Sequence, residues 1–240
     1  MLRGVALALV VTACSSPSPE ALEPRTALER GRDLFENTAE PRPDNAFSCS
    51  TCHTASVGGS RVYPGAPMGG VTSRPTYWGG AEVELLRAVN DCRTYFMSAH
   101  SSWTTADEDA RALYGYLATL PGEPNPIKFT VEQRIDPLPC TANTLSDGQR
   151  AFERACASCH GEAHSGLGRL TKKAPVLPDE SLRTHATLTP DQVRAVFTEK
   201  VRHGNFYGKG GTMPPFSREV LTDPDLAGLL SYLLDAGGCH

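Results

Sequence analysis

Two short segments of the chain carry residues in a spacing that can do chemistry: Cys49-Ser50-Thr51-Cys52-His53 and Cys156-Ala157-Ser158-Cys159-His160. Two thiols one helical turn apart can add to the two vinyl groups of a single haem, and the histidine that follows turns its imidazole onto the iron from the same segment. The covalent links fix the macrocycle where a small domain has few apolar residues with which to enclose it. With 8 cysteines and 7 histidines in 240 residues, a chance C-x-x-C-H is expected on the order of 0.01 times per chain. Two of them in matched positions imply two covalently attached haem c groups. Half of a zinc site and a thioredoxin-like dithiol are the competing uses of C-x-x-C. Zinc would require the two cysteine pairs to meet, whereas each pair recurs with a downstream methionine of its own.

The segments belong to an internal repeat. Gly31-Arg32-Asp33-Leu34-Phe35-Glu36 precedes the first, Gly148-Gln149-Arg150-Ala151-Phe152-Glu153 precedes the second, and the first half inserts ten further residues between the two features. Downstream, Met97 lies 19 residues before Tyr116-Leu117 and Met213 lies 19 residues before Tyr232-Leu233. Two copies of one fold is the simplest reading. Helical signals surround the motifs. Thr105-Ala106-Asp107-Glu108, Thr189-Pro190-Asp191-Gln192 and Thr222-Asp223-Pro224-Asp225 read as capping boxes, and residues 82–92 and 190–203 are amphipathic, the latter with Gly204 at its C-terminal cap. Alternating strand patterns are absent, and five prolines between 121 and 139 mark a surface linker. The expectation is an all-α chain with domains over 25–120 and 143–240 joined by a Pro-rich linker over 121–142.

These residues resemble class I cytochrome c domains over nearly all of Thr26 to Gly238. That resemblance implies two tandem domains, each of a few helices around a covalently bound haem c. It further implies a crossing of the first and last helices, with Gly31 and Phe35 on Tyr116 and Leu117, and Gly148 and Phe152 on Tyr232 and Leu233. The family's second iron ligand is a methionine in a loop before the last helix, which Gly211-Thr212-Met213-Pro214-Pro215-Phe216 matches. The resemblance therefore gives Cys49, Cys52, Cys156 and Cys159 as haem attachment points, His53 and His160 as iron ligands, and Met213 as the partner of His160.

The partner of His53 has several candidates. Met97 has the repeated 19-residue register. Cys92 closes the expected helix 82–92, where Gly204 stands in the second copy. Asn90-Asp91-Cys92 with Met97 five residues on also resembles the segment of dihaem thiosulfate dehydrogenases in which cysteine is the distal ligand. Those enzymes usually continue with an Arg-Ser-Met-Asn-Gly-like string, of which residues 93–99 keep only the methionine. Met68, in a turn-rich stretch, ranks below these, and His100 is remoter still. His164, His185, His203 and His240 read as surface or haem-edge residues.

Net charge of −4 and a pI near 6.0 supply no basic footprint for nucleic acid. Arg3, the apolar run Val5 to Val11 and Val11-Thr12-Ala13-Cys14 have the layout of a secretory signal and resemble the lipobox of bacterial lipoproteins. The expectation is a signal peptide over 1–13, a lipid on Cys14 and a Ser/Pro tether over 14–24, placing the protein on the periplasmic side of the cell envelope. Cys140 and Cys239 flank the second copy and could close a disulfide there. Together these readings point to an electron carrier working with redox partner proteins. The alternative is a thiosulfate dehydrogenase-like oxidoreductase with its first haem, and Cys92, as the active site; a dihaem peroxidase trails both.

Overall fold

The computed structural model describes residues 26–37, 46–56, 59–124, 128–130, 134–136, 138, 145–205 and 211–234. The expectations for the leader, for Cys14, and for Cys140, Cys239 and His240 lie outside these residues. Among them the fold is all-α, with no β-sheet: an isolated bridge between Tyr77 and Glu82 is the only pairing of extended backbone.

The helices fall into two clusters built on the same plan. The first contains α1 (Ala27–Glu36), α2 (Cys49–Cys52), α3 (Leu85–Tyr95) and α4 (Glu108–Ala118). The second contains α5 (Leu145–Ala155), α6 (Ala157–His160), α7 (Asp179–Thr184), α8 (Pro190–His203) and α9 (Asp223–Leu234). In each, the first helix packs on the last: α1 on α4 and α5 on α9. Glycine makes both crossings possible. A Cβ on Gly31 would stand 2.0 Å from the Ala112 carbonyl oxygen, and one on Gly148 would stand 2.1 Å from that of Gly228. One turn further, Phe35 meets Tyr116 with ring centroids 5.6 Å apart at 47°, and Phe152 meets Tyr232 at 5.9 Å and 49°. The anticipated Gly-Phe against Tyr-Leu contact is present in both clusters, with Leu117 and Leu233 buried behind it.

Capping chemistry explains most helix starts. Thr26 and Glu29 form a reciprocal capping box at α1, as do Thr189 and Gln192 at α8. At α9 the Thr222 hydroxyl receives the Asp225 amide at 3.3 Å. At α4 the expected box from Thr105 to Glu108 does not form. Asp107 is the N-cap, and its carboxylate is taken by the amide and hydroxyl of Thr104 at 2.6 and 2.7 Å, so the helix begins at Glu108. Residues 82–92 also differ from expectation: α3 starts at Leu85 and runs to Tyr95, because Tyr77 and Glu82 are occupied with each other in the bridge. Cys92 therefore sits inside the last turn of α3 rather than at its end.

The linker does more than cross the surface. A Cβ on Gly69 would strike the Pro121 carbonyl oxygen at 2.2 Å, so the start of the linker lies against the loop after α2. Phe129 then packs edge-on to Trp78, and Thr130 donates to Glu219 of the second cluster through its hydroxyl at 2.6 Å and its amide at 3.2 Å.

Candidate haem-attachment sites

Cys49 and Cys52 open and close the single turn α2, and His53 follows as its C-cap, with its amide bonded to the Cys49 carbonyl at 2.9 Å. The loop then returns so that His53 Nδ1 lies 2.8 Å from the main-chain oxygen of Ala66. A carbonyl can only accept, so Nδ1 carries the proton and Nε2 keeps its lone pair for another use. Burial lowers the pKa of His53, the Ala66 bond opposes this, and nearby Arg74 reinforces it. The ring is held neutral, which is the state that binds a metal. Gly65 is needed beside it, since a Cβ there would come within 2.3 Å of the imidazole.

The second segment repeats this arrangement. Cys156 precedes α6, Cys159 lies within it and His160 ends it; His160 Nδ1 stands 2.9 Å from the oxygen of Pro175. Burial again lowers its pKa against the pull of that hydrogen bond. Both imidazoles are thus fixed in the same tautomer by a carbonyl 13 to 15 residues downstream.

A cavity of about 740 Å³ opens beside the first segment, within the range of cofactor sites. Cys49, Cys52, His53, Cys92 and Met97 all line it, so the structure brings the sequence candidates of the first half into one space. Met68 lines it as well, but its amide is bonded to the Thr54 carbonyl at 2.8 Å, next to His53, and its side chain is buried with Leu34, Phe35 and Leu113. It serves the core. His100 is exposed and stands outside the cavity. Burial pushes the Cys92 thiol well above its ordinary pKa, and Cys49, Cys52 and the Asp91 carboxylate push the same way. The donor set fits a c-type haem: two thiols on one turn, a neutral imidazole with a free Nε2, and sulfur donors on the same apolar-walled space.

Met213 is half-buried against the core of the second cluster. Its carbonyl receives the Asn205 amide at 2.8 Å, and a Cβ on Gly204, whose φ is +51°, would come within 2.5 Å of the same oxygen. His203 is buried at the end of α8 and is not a surface residue. Pro214 and Pro215, which follow Met213, line the cavity beside the first segment.

A pair of buried arginines was not singled out from the sequence. Arg202 of α8 donates to the carbonyls of Phe216 and Leu221 at 3.0 and 2.7 Å and to Asp223 at 2.7 Å. Arg93 of α3 donates to the Ser101 carbonyl at 2.9 Å and stacks 3.8 Å from the Trp103 ring. Each ties the methionine-bearing loop to the helix before it. The signal was an Arg late in each amphipathic helix, obscured because the two loops differ in length.

Among the described residues no three His, Cys, Asp or Glu side chains converge as a metal-binding group, and no helix is long and apolar enough to cross a membrane.

Residues 143–233 match the protein family described as cytochrome c oxidase, cbb3-type, subunit III. The chain is also similar to one of the subunits of nicotinate dehydrogenase from Pseudomonas putida, at 32% identity over 135 residues, covering 54% of this chain and 10% of that protein. Its similarity to the cbb3-type cytochrome c oxidase subunit CcoP of Rhodobacter capsulatus is longer, 26% identity over 201 residues, covering 79% of this chain and 59% of the relative. The chain thus spans less than two thirds of either relative. Its all-α clusters and these similarities agree on cytochrome character.

Proposed function

We propose that the chain is a dihaem c-type cytochrome that passes single electrons in a bacterial cell-envelope redox chain. It is built as two tandem class I cytochrome c domains over 25–120 and 143–240. The observation that carries the reading is the duplicated imidazole geometry. Each C-x-x-C-H histidine gives its Nδ1 proton to a main-chain carbonyl and keeps Nε2 available, at 2.8 and 2.9 Å respectively. A bound haem c would supply an iron that alternates between ferric and ferrous states. Cys49 and Cys52 would hold one haem, Cys156 and Cys159 the other.

The chain's own residues then do three things. The carbonyls of Ala66 and Pro175 make each imidazole a better donor and fix its orientation. The thioethers of Met97 and Met213, soft and weak donors, would favour the ferrous state; Met97 is chosen for its register and because its loop is held by Arg93 as that of Met213 is held by Arg202. The clamped helix crossings and the buried arginines limit rearrangement on electron transfer. Lipid on Cys14 would keep the protein on the periplasmic side of the envelope, next to its redox partners, and membership of a multi-subunit redox complex is consistent with the relatives.

The test is a pyridine haemochrome assay with iron quantitation. Wild type should contain two haems c per chain, and a Cys156→Ala, Cys159→Ala double variant one. Zinc in place of iron, or one haem in wild type, would sink the reading.

A further inference from the structure

Residues 60–63 of the first half cross to the second. The amide of Val62 donates to the Arg154 carbonyl at 2.9 Å, Arg154 Nε returns to the Ser60 carbonyl at 2.5 Å, and the Val62 side chain packs against the second core. Arg154 lies two residues before Cys156. Between these two anchors, Arg61 turns back to the first half, where Nη2 donates to the carbonyl of Thr51, inside the first C-x-x-C. Its guanidinium lies 4.4 Å from the centre of the Tyr63 ring. Its Nε is buried without a hydrogen-bond partner. The charge is therefore held by a carbonyl and a ring, neither of which neutralises it.

The strap thus places Arg61 between the two attachment segments: it is bonded inside the first, and the residues on either side of it are bonded to Arg154, two residues before the second.

We propose that Arg61 is a positioning residue shared by both haem sites, whose fixed charge between the two attachment segments sets the two iron potentials together. The inference rests on the dihaem reading above. Going from ferric to ferrous removes one positive charge from each site, so a permanent neighbouring cation favours the reduced form at both. A guanidinium in partly buried surroundings is screened little by salt, so its effect persists at physiological ionic strength.

The experiment is a spectroelectrochemical titration of the purified full chain, wild type against Arg61→Gln and Arg61→Lys. Arg61→Gln should lower both midpoints, each haem losing about tenfold in its reduced-to-oxidised ratio at fixed potential, which is 59 mV for one electron. Arg61→Lys, which keeps the charge, should retain most of the wild-type value at both. Ser60→Asp, an exposed change that adds a counter-charge next to Arg61, tests the same point without removing the arginine and should also lower both midpoints. A shift at one haem only, no shift, or equal shifts in Arg61→Lys and Arg61→Gln would overturn the proposal. Fewer than two haems in wild type would instead overturn the reading on which it rests.

Discussion

Replacing Gly148 by alanine tests the helix crossing on which the second site depends. The added Cβ would meet the Gly228 carbonyl oxygen at 2.1 Å and Tyr232 Cβ at 2.6 Å. Ordinary contact begins near 3.4 Å, so α5 and α9 must part by about 1.3 Å at their closest point, and the opposing atom is backbone that cannot rotate away. Overpacking of this kind costs about 1–3 kcal/mol. Parting the helices also weakens the Phe152–Tyr232 ring contact, worth about 0.5–1.5 kcal/mol. Against this stands a gain of up to about 1 kcal/mol from alanine's helix propensity. The net expectation is a loss of about 1–3 kcal/mol, a fall in Tm of roughly 2–12 °C for a chain of this length. Gly115→Ala is the control, because its Cβ would meet nothing closer than Leu28 Cδ2 at 3.7 Å, and it should be neutral or stabilising. Thermal unfolding followed by far-ultraviolet circular dichroism reads both. Gly148→Ala as stable as wild type would refute the close-crossing argument.

Glu219 should make the link between the linker and the second cluster sensitive to acid. Burial works against its charge, but hydrogen bonds from the Thr130 hydroxyl and from main-chain amides outweigh it and hold the carboxyl at about 2. A depressed carboxylate stabilises above its unfolded pKa, near 4.5, and loses that contribution as pH falls towards 2; protection of the Thr130 amide against hydrogen exchange, taken relative to its intrinsic rate at each pH, should fall over this window, and in Glu219→Gln it should be low at every pH. Cys14→Ala should release the protein from membranes or leave it uncleaved, since lipid chains contribute ~0.8 kcal/mol per buried CH₂; wild type released by salt alone would contradict the anchor.

Much of this architecture can be read from the sequence because it rests on local rules. C-x-x-C-H is a short motif whose chemistry depends on spacing alone, and G-x-x-x-F-E with its Tyr-Leu counterpart names both sides of a contact that only glycine permits. Thr189 and Gln192 carry their own cap. What the sequence does not reveal is set by contacts distant along the chain. The start of α4 is decided between two adjacent Thr–acid pairs, of which Thr104 with Asp107 forms in place of Thr105 with Glu108. The start of α3 depends on Tyr77 pairing with Glu82, and the packing of Phe129 on Trp78 depends on a linker whose prolines announce only that it is not a helix. The strap at residues 60–63 has no pattern of its own: Arg61 and Val62 are ordinary residues until the two clusters meet.

In the proposed dihaem reading, the choice of the first distal ligand turns on register. Measured back from the last helix, Met97 and Met213 agree, each 19 residues before its tyrosine. Measured by the buried arginines they do not: Arg93 lies 23 residues before Tyr116, and Arg202 lies 30 before Tyr232. The second loop is longer by seven, and aligning the arginines sets Cys92 opposite Val201, a core residue, rather than opposite Gly204. In that alignment Cys92 is one of the α3 residues that line the cavity, with Leu85, Ala88, Val89 and Arg93, while Met97 is on the loop that the arginine holds. If the loop supplies the ligand in both halves, Met97→Ala should open the first haem to carbon monoxide, and Cys92→Ala should leave the spectrum unchanged. A thiolate at Cys92 would stabilise ferric iron and drop the first potential far below the second. Low-temperature EPR of the oxidised protein separates the two, since His/thiolate and His/Met haems have different g values. A thiolate signal lost in Cys92→Ala, together with loss in the same variant of the protein's reduction by thiosulfate, would replace the carrier with a sulfur-oxidising enzyme.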